Sequence, residues 1–201
     1  MKTVKAYHFC SADMALGYAD GREIVVGETL TVDCEPKLCE QGLHASEDIL
    51  DALSYSAGPM LCEVEIGGKI VRGDDKLVGQ SRKCLSALDC TETLQHWACD
   101  VAEHVLPIFE EECPDDQRPR NAIEAKRAYL AGEITAAARD AARAAAGDAA
   151  WAAARDATRV AAWDAARDAA RAAAWDAEKD WQRARLLELI TIAREEADDE
   201  S

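Results

Sequence analysis

Proline and glycine are scarce in the C-terminal half of this 201-residue chain. No proline follows Pro119, and Gly132 and Gly147 are the only glycines beyond it. These two residue types interrupt helices most strongly, so their scarcity predicts an all-α second half that extends to about residue 196.

A long uncharged apolar run is also missing. No apolar region follows Lys2, so we expect no signal peptide, a cytoplasmic protein, and eight cysteines that are mostly free thiols. In the alanine-rich stretch 137–177, Arg or Asp recurs every few residues. A charge at the centre of a bilayer costs roughly 3 kcal/mol, so we expect no membrane association through this stretch.

The familiar catalytic motifs are absent as well. There is no phosphate-binding glycine-rich loop, no HExxH motif and no nucleophile elbow. The paired C-x2-C spacing of zinc sites is missing as well. We therefore expect the cysteines to be buried structural thiols, and a metal site is the weaker alternative. Its ligands would be Cys34, Cys39 and His44, or Cys90, His96, Cys99 and His104. We expect neither a cofactor nor a metal.

Charge is unevenly distributed along the chain, whose formal net charge is −16. Residues 100–116 hold 7 acidic side chains and no Lys or Arg, whereas residues 118–185 hold 13 basic and 10 acidic ones. The first segment and the acidic tail after residue 185 are therefore the acidic surfaces. The basic cluster Arg118, Arg120, Lys126 and Arg127 should pair internally with the acids of 100–116.

Residues 1–87 are typical of a small α+β domain. Strands are predicted at "TVKAYHF", at "REIVVGETLTV" and at "MLCEVEI", the last ending at Gly67-Gly68. "SEDILDALSYS" predicts a short helix with Ser46 as its N-cap, and "VRGDDKLVGQSRK" predicts a loop followed by an exposed strand.

Residues 88–201 change to helical periodicity. "TETLQHWACDVAEHVLPIFEEE" predicts a helix capped by Thr91 or Thr93 and limited or kinked at Pro107. The next helix is predicted around "RPRNAIEAKRAYLAGEI", with Asn121 as N-cap. The fold class is thus α+β, a β-rich N-terminal domain followed by an all-α domain with a long alanine-rich helix.

The alanine-rich stretch contains a four-residue repeat with Trp at 12-residue spacing, at Trp151, Trp163 and Trp175. Asp–Arg pairs three residues apart, from Asp140–Arg143 to Asp180–Arg183, should support a long helix. Rows of alanine along it would let another helix approach closely, with the Trp residues as anchors, and so allow a homodimer. The alternative is a low-complexity expansion without a partner.

Two segments resemble known families. The segment "HWACDVAEHVLPIFEEECPDDQRPRNAIEAKRAYLAGEI", His96 to Ile134, resembles the helical domain of bacterial immunity proteins of the polymorphic-toxin type, over roughly residues 93–146. The first 80 residues resemble a phage and prophage domain of unknown function, through "AYHF", "LCEQGLHA", "VE" at 64–65 and "DKL" at 75–77. Together these resemblances imply a protein of the immunity or phage counter-defence kind.

The leading hypothesis for function is therefore non-enzymatic binding that masks a protein target, either a toxin or a host defence protein. A second hypothesis is an acidic mimic of nucleic acid that inhibits a DNA-binding protein; direct nucleic-acid binding is not expected. The candidate binding residues are His96, Trp97, Glu110, Glu111, Glu112, Trp151, Trp163 and Trp175.

A third hypothesis is an NAD-dependent enzyme, because the order of motifs resembles small ADP-ribosyltransferase-like domains. The resemblance implies His8, Tyr55 and Glu65 as candidate catalytic residues. His44, in the loop "GLHAS", is a fourth candidate. For His44 a structural role is the alternative, in which its ring holds a turn together by hydrogen bonding.

Overall fold

The computed structural model describes residues 2–17, 20–157 and 165–199, and the side chains of residues 147–174 lie outside the described part. The protein is α+β, as predicted. It divides into two compact units, Met1–Thr91 with Ile190–Ser201, and Glu92–Leu189, which we call the sheet unit and the helical unit. The predicted domain boundary between residues 87 and 88 stays a prediction, because a compact unit need not fold alone.

The sheet unit contains five strands and one short helix among its described residues. In chain order they are β1 Val4–Cys10, β2 Thr29–Thr31, β3 Leu43–Ala45, α1 Ile49–Ser54, β4 Met60–Arg72 and β5 Leu77–Asp89. The strand order is β1-β4-β5-β2, with β3 also paired to β5, and every pairing is antiparallel. The two long strands β4 and β5 therefore lie inside the sheet.

The sheet unit buries side chains on both faces of this sheet: Phe9 and Leu61 lie on one face, and a cluster of nine buried residues lies on the other, the core face. Alternate residues of β1 and β4 point to that face, because successive side chains of a strand point to opposite sides. Its buried members are Ala6, Cys10, Ile24, Ala45, Cys62, Val64, Ile66, Leu77 and Cys84. Cysteine supplies three of these nine positions, as expected for a small apolar side chain.

Three strand predictions need correction. β4 does not end at Gly67-Gly68 but continues to Arg72. The two glycines are accommodated within the strand by a φ of 74° at Gly68 and by a register shift between Gly67 and Ile70. The segment from Leu77 is not an exposed strand: Leu77 and Val78 are fully buried in β5. The predicted strand "REIVVGETLTV" shrinks to Thr29–Thr31, since Gly27 adopts a φ of 89° before it.

The N-cap of α1 is also corrected. Asp48, not Ser46, caps the helix, and its carboxylate accepts a hydrogen bond from the backbone N–H of Leu50 at 2.8 Å. Ser46 is buried and pairs through its backbone with Tyr7 of β1. The helix therefore begins two residues later than its polar sequence suggests.

Four further helices follow, at α2 Thr91–Glu112, α3 Arg118–Leu130, α4 Ala136–Ala157 and α5 Ala165–Asp199. The predicted all-α second half is confirmed for the described residues. The prediction that the alanine-rich stretch forms one long helix depends on residues 158–164, which lie outside the described part of the chain. None of the described helices combines the length and apolarity that crossing a membrane requires.

The structure bears on the predicted ends of α2 and α3. At the start of α2 the carboxylate of Asp89 accepts a hydrogen bond from the N–H of Thr91 at 2.8 Å; Thr93 lies inside the helix and does not cap it, whereas the predicted cap at Thr91 stays a prediction. Pro107 lies inside α2 and does not end it, and the alternative of a kink at Pro107 stays a prediction. Asn121 is not the N-cap of α3, which begins at Arg118 after Gln117, with a proline in its first turn, where the missing N–H is tolerated.

Candidate functional site

The structure does not bring His8 and Glu65 together. In the β1–β4 register His8 is opposite Cys62, whereas Glu65 is opposite Lys5. Cys62 and Glu65 are three residues apart on β4, so their side chains point to opposite faces of the sheet. His8 and Glu65 therefore cannot share one NAD-type site, and this geometry gives no support to the ADP-ribosyltransferase-like hypothesis.

Tyr55 and Glu65 have local polar neighbours instead. Tyr55, half exposed after α1, donates a short hydrogen bond to Asp75, and the Lys76 ammonium lies 4.0 Å from the centre of its ring. Glu65 is flanked in the sheet by Lys5 of β1 and Lys83 of β5. Opposite charges in adjacent strand positions stabilise a sheet, so Glu65 has an ordinary structural role available.

His44 holds a turn together. Its Nε2 accepts a hydrogen bond from the backbone N–H of Cys39 at 3.1 Å, and its Nδ1 lies 3.2 Å from the carbonyl oxygen of Gly42. Both contacts are satisfied by a neutral ring protonated at Nδ1. Burial lowers the pKa of His44, which is consistent with that neutral form. These hydrogen bonds are the ones expected if His44 has the structural role of holding its turn together.

A shallow cleft of about 110 Å³ lies between α1 and the turn that joins β4 to β5. Carboxylates dominate its lining, but Arg72 pairs with Glu47 and Lys76 lies beside Tyr55. The cleft therefore has mixed charge. Among the described residues, no group of three or more His, Cys, Asp or Glu side chains is arranged to hold a metal ion.

The sheet unit also buries an arginine that sequence reasoning missed. Arg82 of β5 is only 3% exposed, and its Nη1 donates a hydrogen bond to the carbonyl oxygen of His44 at 2.8 Å. Burial lowers its pKa to about 10, and burial together with the Arg82 charge lowers the pKa of nearby His8 to about 3. Recognising β5 as an inner strand would have placed Arg82 on the core face with Cys84.

In the helical unit, aromatic residues join α2 to α5. The indole N–H of Trp97 donates a hydrogen bond to the backbone carbonyl of Gln182 at 3.0 Å. The ring of His104 stacks on Trp181 with 3.7 Å between centroids and 6° between planes, and its Nε2 lies 3.2 Å from a Glu178 oxygen. Trp97 is therefore used internally, whereas His96 is exposed.

The predicted pairing of the basic cluster with the acids of 100–116 is confirmed for its three arginines, whereas Lys126 donates a hydrogen bond to Gln95. Arg120 forms two hydrogen bonds with Glu110, at 2.8 and 2.7 Å, and Arg127 pairs with Asp100 at 2.8 Å. Arg185 of α5 adds a second contact to Asp100 at 2.7 Å. Burial raises the pKa of Asp100, but the hydrogen bonds from Arg127 and Arg185 outweigh it and hold that pKa below its usual value.

The three predicted acidic binding residues differ in their exposure and in their pairing. Glu110 is half-buried and held by Arg120, while Glu111 and Glu112 are exposed. Pro107 and Ile108 are exposed beside them, and Ile108 is 69% exposed. Residues 107, 108, 111 and 112 fall on one side of α2 at 100° per residue. We call these four residues the α2 face.

The alanine-rich stretch is described only in part. Trp175 is 63% exposed, with the Lys179 ammonium 5.9 Å from its ring centre. Trp163 lies outside the described residues, and so do the side chains of Trp151 and of most predicted Asp–Arg pairs. Of the two outermost pairs, Asp180–Arg183 is present at 2.6 Å, but Asp140 pairs with its neighbour Arg139 instead of Arg143.

Comparison with known families assigns a relationship to each half of the chain. Residues 88–179 match the family described as Imm-5 like putative immunity protein. This half is similar to immunity proteins. Residues 4–96 match a domain of unknown function, DUF7666. No curated protein and no solved structure matches the chain. The α2 face lies wholly within the segment that resembles immunity proteins.

Proposed function

We propose that the chain is a non-enzymatic immunity protein whose helical unit binds and masks a protein toxin. The single observation that carries the proposal is the exposure of Ile108 inside the segment that matches the immunity-protein family. A large apolar side chain bordered by polar ones fits the general arrangement of a protein interface, in which a polar rim surrounds an apolar centre. The α2 face is the contact surface we assign to the toxin.

The charge of the α2 face indicates the kind of toxin surface it fits. Glu111 and Glu112 are exposed on the same side of α2 as Ile108, and the neighbouring Asp115 is exposed too. Complementary charge accelerates association and excludes wrong partners. The toxin should therefore present an apolar pocket bordered by Lys or Arg.

The same geometry favours a compact mixed contact over mimicry of nucleic acid. Mimicry needs an extended set of unpaired negative charges, but Asp100, Glu103 and Glu110 are each paired with an arginine. The pairing leaves few free carboxylates around one exposed apolar side chain. Mimicry of nucleic acid is therefore not the leading proposal, but the experiment below also tests it.

The test is rescue of growth. The chain is co-expressed with a panel of polymorphic-toxin domains, beginning with any encoded beside its own gene, and we expect it to protect cells against its cognate toxin. Ile108→Ala should weaken binding of the purified pair by about thirtyfold, the equivalent of about 2 kcal/mol for a central apolar contact. Glu111→Lys should slow association and lower its salt dependence.

Matched controls come from an exposed part of α5. Ile192 is 42% exposed and Glu195 is exposed, so Ile192→Ala and Glu195→Lys make the same changes at residues that do not belong to the α2 face. Both controls should bind as the parent does. Rescue that survives Ile108→Ala and Glu111→Lys without loss of affinity contradicts the assigned surface. Failure to protect against any toxin of the panel contradicts the immunity function, and competition by DNA would favour mimicry.

A further inference from the structure

Three cysteine thiols lie together on the core face of the sheet. Cys10 of β1 and Cys62 of β4 are diagonal neighbours, since Cys10 is opposite Met60 and Cys62 is opposite His8. Their sulfur atoms are 3.8 Å apart, within hydrogen-bond distance for sulfur. Both side chains are buried, at 2% and 0% exposure. The pair is therefore close enough for one sulfur to attack the other after oxidation.

A β-bulge adds the third thiol. The β4–β5 register shifts between Glu63 and Val64, so that Cys84 is opposite Val64 while Glu63 is opposite Ser86. Such a bulge changes the direction of side chains around it. Cys84 is 3% exposed and forms part of the same buried cluster as Cys10 and Cys62.

The buried guanidinium of Arg82 lies in the field of these thiols. Its Nη2 is buried and has no hydrogen-bond partner in the described part of the chain, where no carboxylate pairs with Arg82 either. Its charge interacts with Cys62, Cys10 and Cys84. A buried charge without a counter-charge is costly by several kcal/mol, whereas a thiolate would supply the missing negative charge.

We propose that Cys10 and Cys62 form a redox-active pair, in which Arg82 holds Cys10 as the thiolate nucleophile and Cys62 is the resolving thiol. The oxidant is a hydroperoxide. The Cys10 thiolate attacks the nearer peroxide oxygen, the O–O bond breaks, and Cys10 sulfenic acid and hydroxide (or alkoxide) form. The Cys62 sulfur then attacks the Cys10 sulfur, its proton leaves with the hydroxyl as water, and a disulfide results. The two thiols are oxidised by two electrons and the peroxide is reduced.

The electrostatics agree with this division of roles. A hydrogen bond from Cys62 lowers the pKa of the Cys10 thiol and outweighs its burial, and the Arg82 charge lowers it further. The same hydrogen bond and burial raise the pKa of the Cys62 thiol. Of the two thiols, the lower pKa of Cys10 favours it as the nucleophile and favours Cys62 as the proton donor. Closing the bond brings the sulfur atoms from 3.8 Å to about 2.0 Å.

The experiment compares cysteines inside one molecule. The full chain is treated with hydrogen peroxide, its remaining thiols are alkylated under denaturing conditions, and the peptides are identified by mass. We expect Cys10 to be consumed about ten times faster than Cys90 and Cys99, whose thiols burial keeps protonated by raising their pKa. The product should be a peptide pair linked through Cys10 and Cys62 that a reductant separates.

Variants test the parts separately. Cys62→Ser should leave Cys10 as a sulfenic acid that a dimedone probe traps, and Arg82→Met should slow the loss of Cys10 by about tenfold, while Arg82→Lys preserves the rate. Cys99→Ser is the matched control and should change neither rate nor product. Loss of Cys10 no faster than that of Cys90 and Cys99, or a link between other cysteines, would overturn the proposal. The comparison of Cys10 with Cys90 and Cys99 in the parent protein tests the proposal even if Arg82→Met does not fold.

Discussion

The indole N–H of Trp97 in α2 donates a hydrogen bond to the backbone carbonyl of Gln182 in α5, across 85 positions of sequence. A side chain that the sequence marks as a candidate for binding a partner is thus occupied inside the helical unit. Trp97→Phe keeps most of the ring but removes the donor, so it should lower the free energy of unfolding by about 1 kcal/mol. Urea denaturation measures the difference. Trp175→Phe, on an exposed indole, is the control and should change stability by no more than about 0.5 kcal/mol.

Asp100 should matter more for stability than its neighbouring acids, because two arginines bind it and its side chain is only 12% exposed. Asp100→Asn should cost about 2 kcal/mol at neutral pH, through weaker hydrogen bonds to Arg127 and Arg185. The pKa of Asp100 is lowered in the folded protein. Its contribution is therefore present above the unfolded pKa of about 3.9 and is lost as pH falls through the lower folded value.

The measurement for Asp100 is the free energy of unfolding of parent and variant at several pH values. The difference between them should hold from pH 7 down to about pH 5 and shrink in more acidic solution. Asp140→Asn removes one partner of an exposed ion pair and serves as the control, with an expected change below about 0.5 kcal/mol. Equal effects at the two positions would refute the structural role of Asp100.

His8 should destabilise the protein in mild acid. Its pKa is about 3 in the folded protein, against about 6.5 for an unfolded chain. Between these values the unfolded state binds more protons, so the free energy of unfolding falls with decreasing pH by up to about 1.4 kcal/mol per unit. His8→Gln should flatten this dependence between pH 7 and pH 5. Parallel stability curves for parent and variant over that interval would show that folding does not lower the pKa of His8.

The alanine-rich stretch yields a prediction about self-association. We propose that Trp175, 63% exposed, is an anchor of a homodimer through the alanine-rich helices. Sedimentation should then find a dimer at high protein concentration, and Trp175→Glu should shift it to the monomer. The exposed Ile192→Glu, on the same helix, provides the comparison and should leave the mass unchanged. A parent that remains monomeric at its solubility limit rules the dimer out.

The sequence was informative where structure depends on neighbours along the chain. Helical periodicity predicted α2, and the neighbouring acidic and basic segments predicted that the basic cluster pairs with the acids of 100–116, as Arg120 does with Glu110. The Arg82 cluster could not be found in this way. Its members come from three strands, at positions 10, 62, 82 and 84, and only the register and one bulge bring them together. The cap of α1 was missed because Ser46 and Asp48 are both good capping residues, and strand pairing at Tyr7 occupies the first.

The order of the strands also bears on how this protein avoids aggregation. Its two 13-residue strands, β4 and β5, pair with each other and have a second neighbour over about half of their length, while β2 and β3 present edges of only three residues each. The outer edge of β1 is interrupted midway, where Tyr7 and Ser46 exchange two backbone hydrogen bonds, at 2.7 and 3.0 Å. Long unpaired edges are the templates on which chains add to one another as fibrils. Within the described part of the sheet, strand pairing thus shortens the edges that a second copy of the chain could extend.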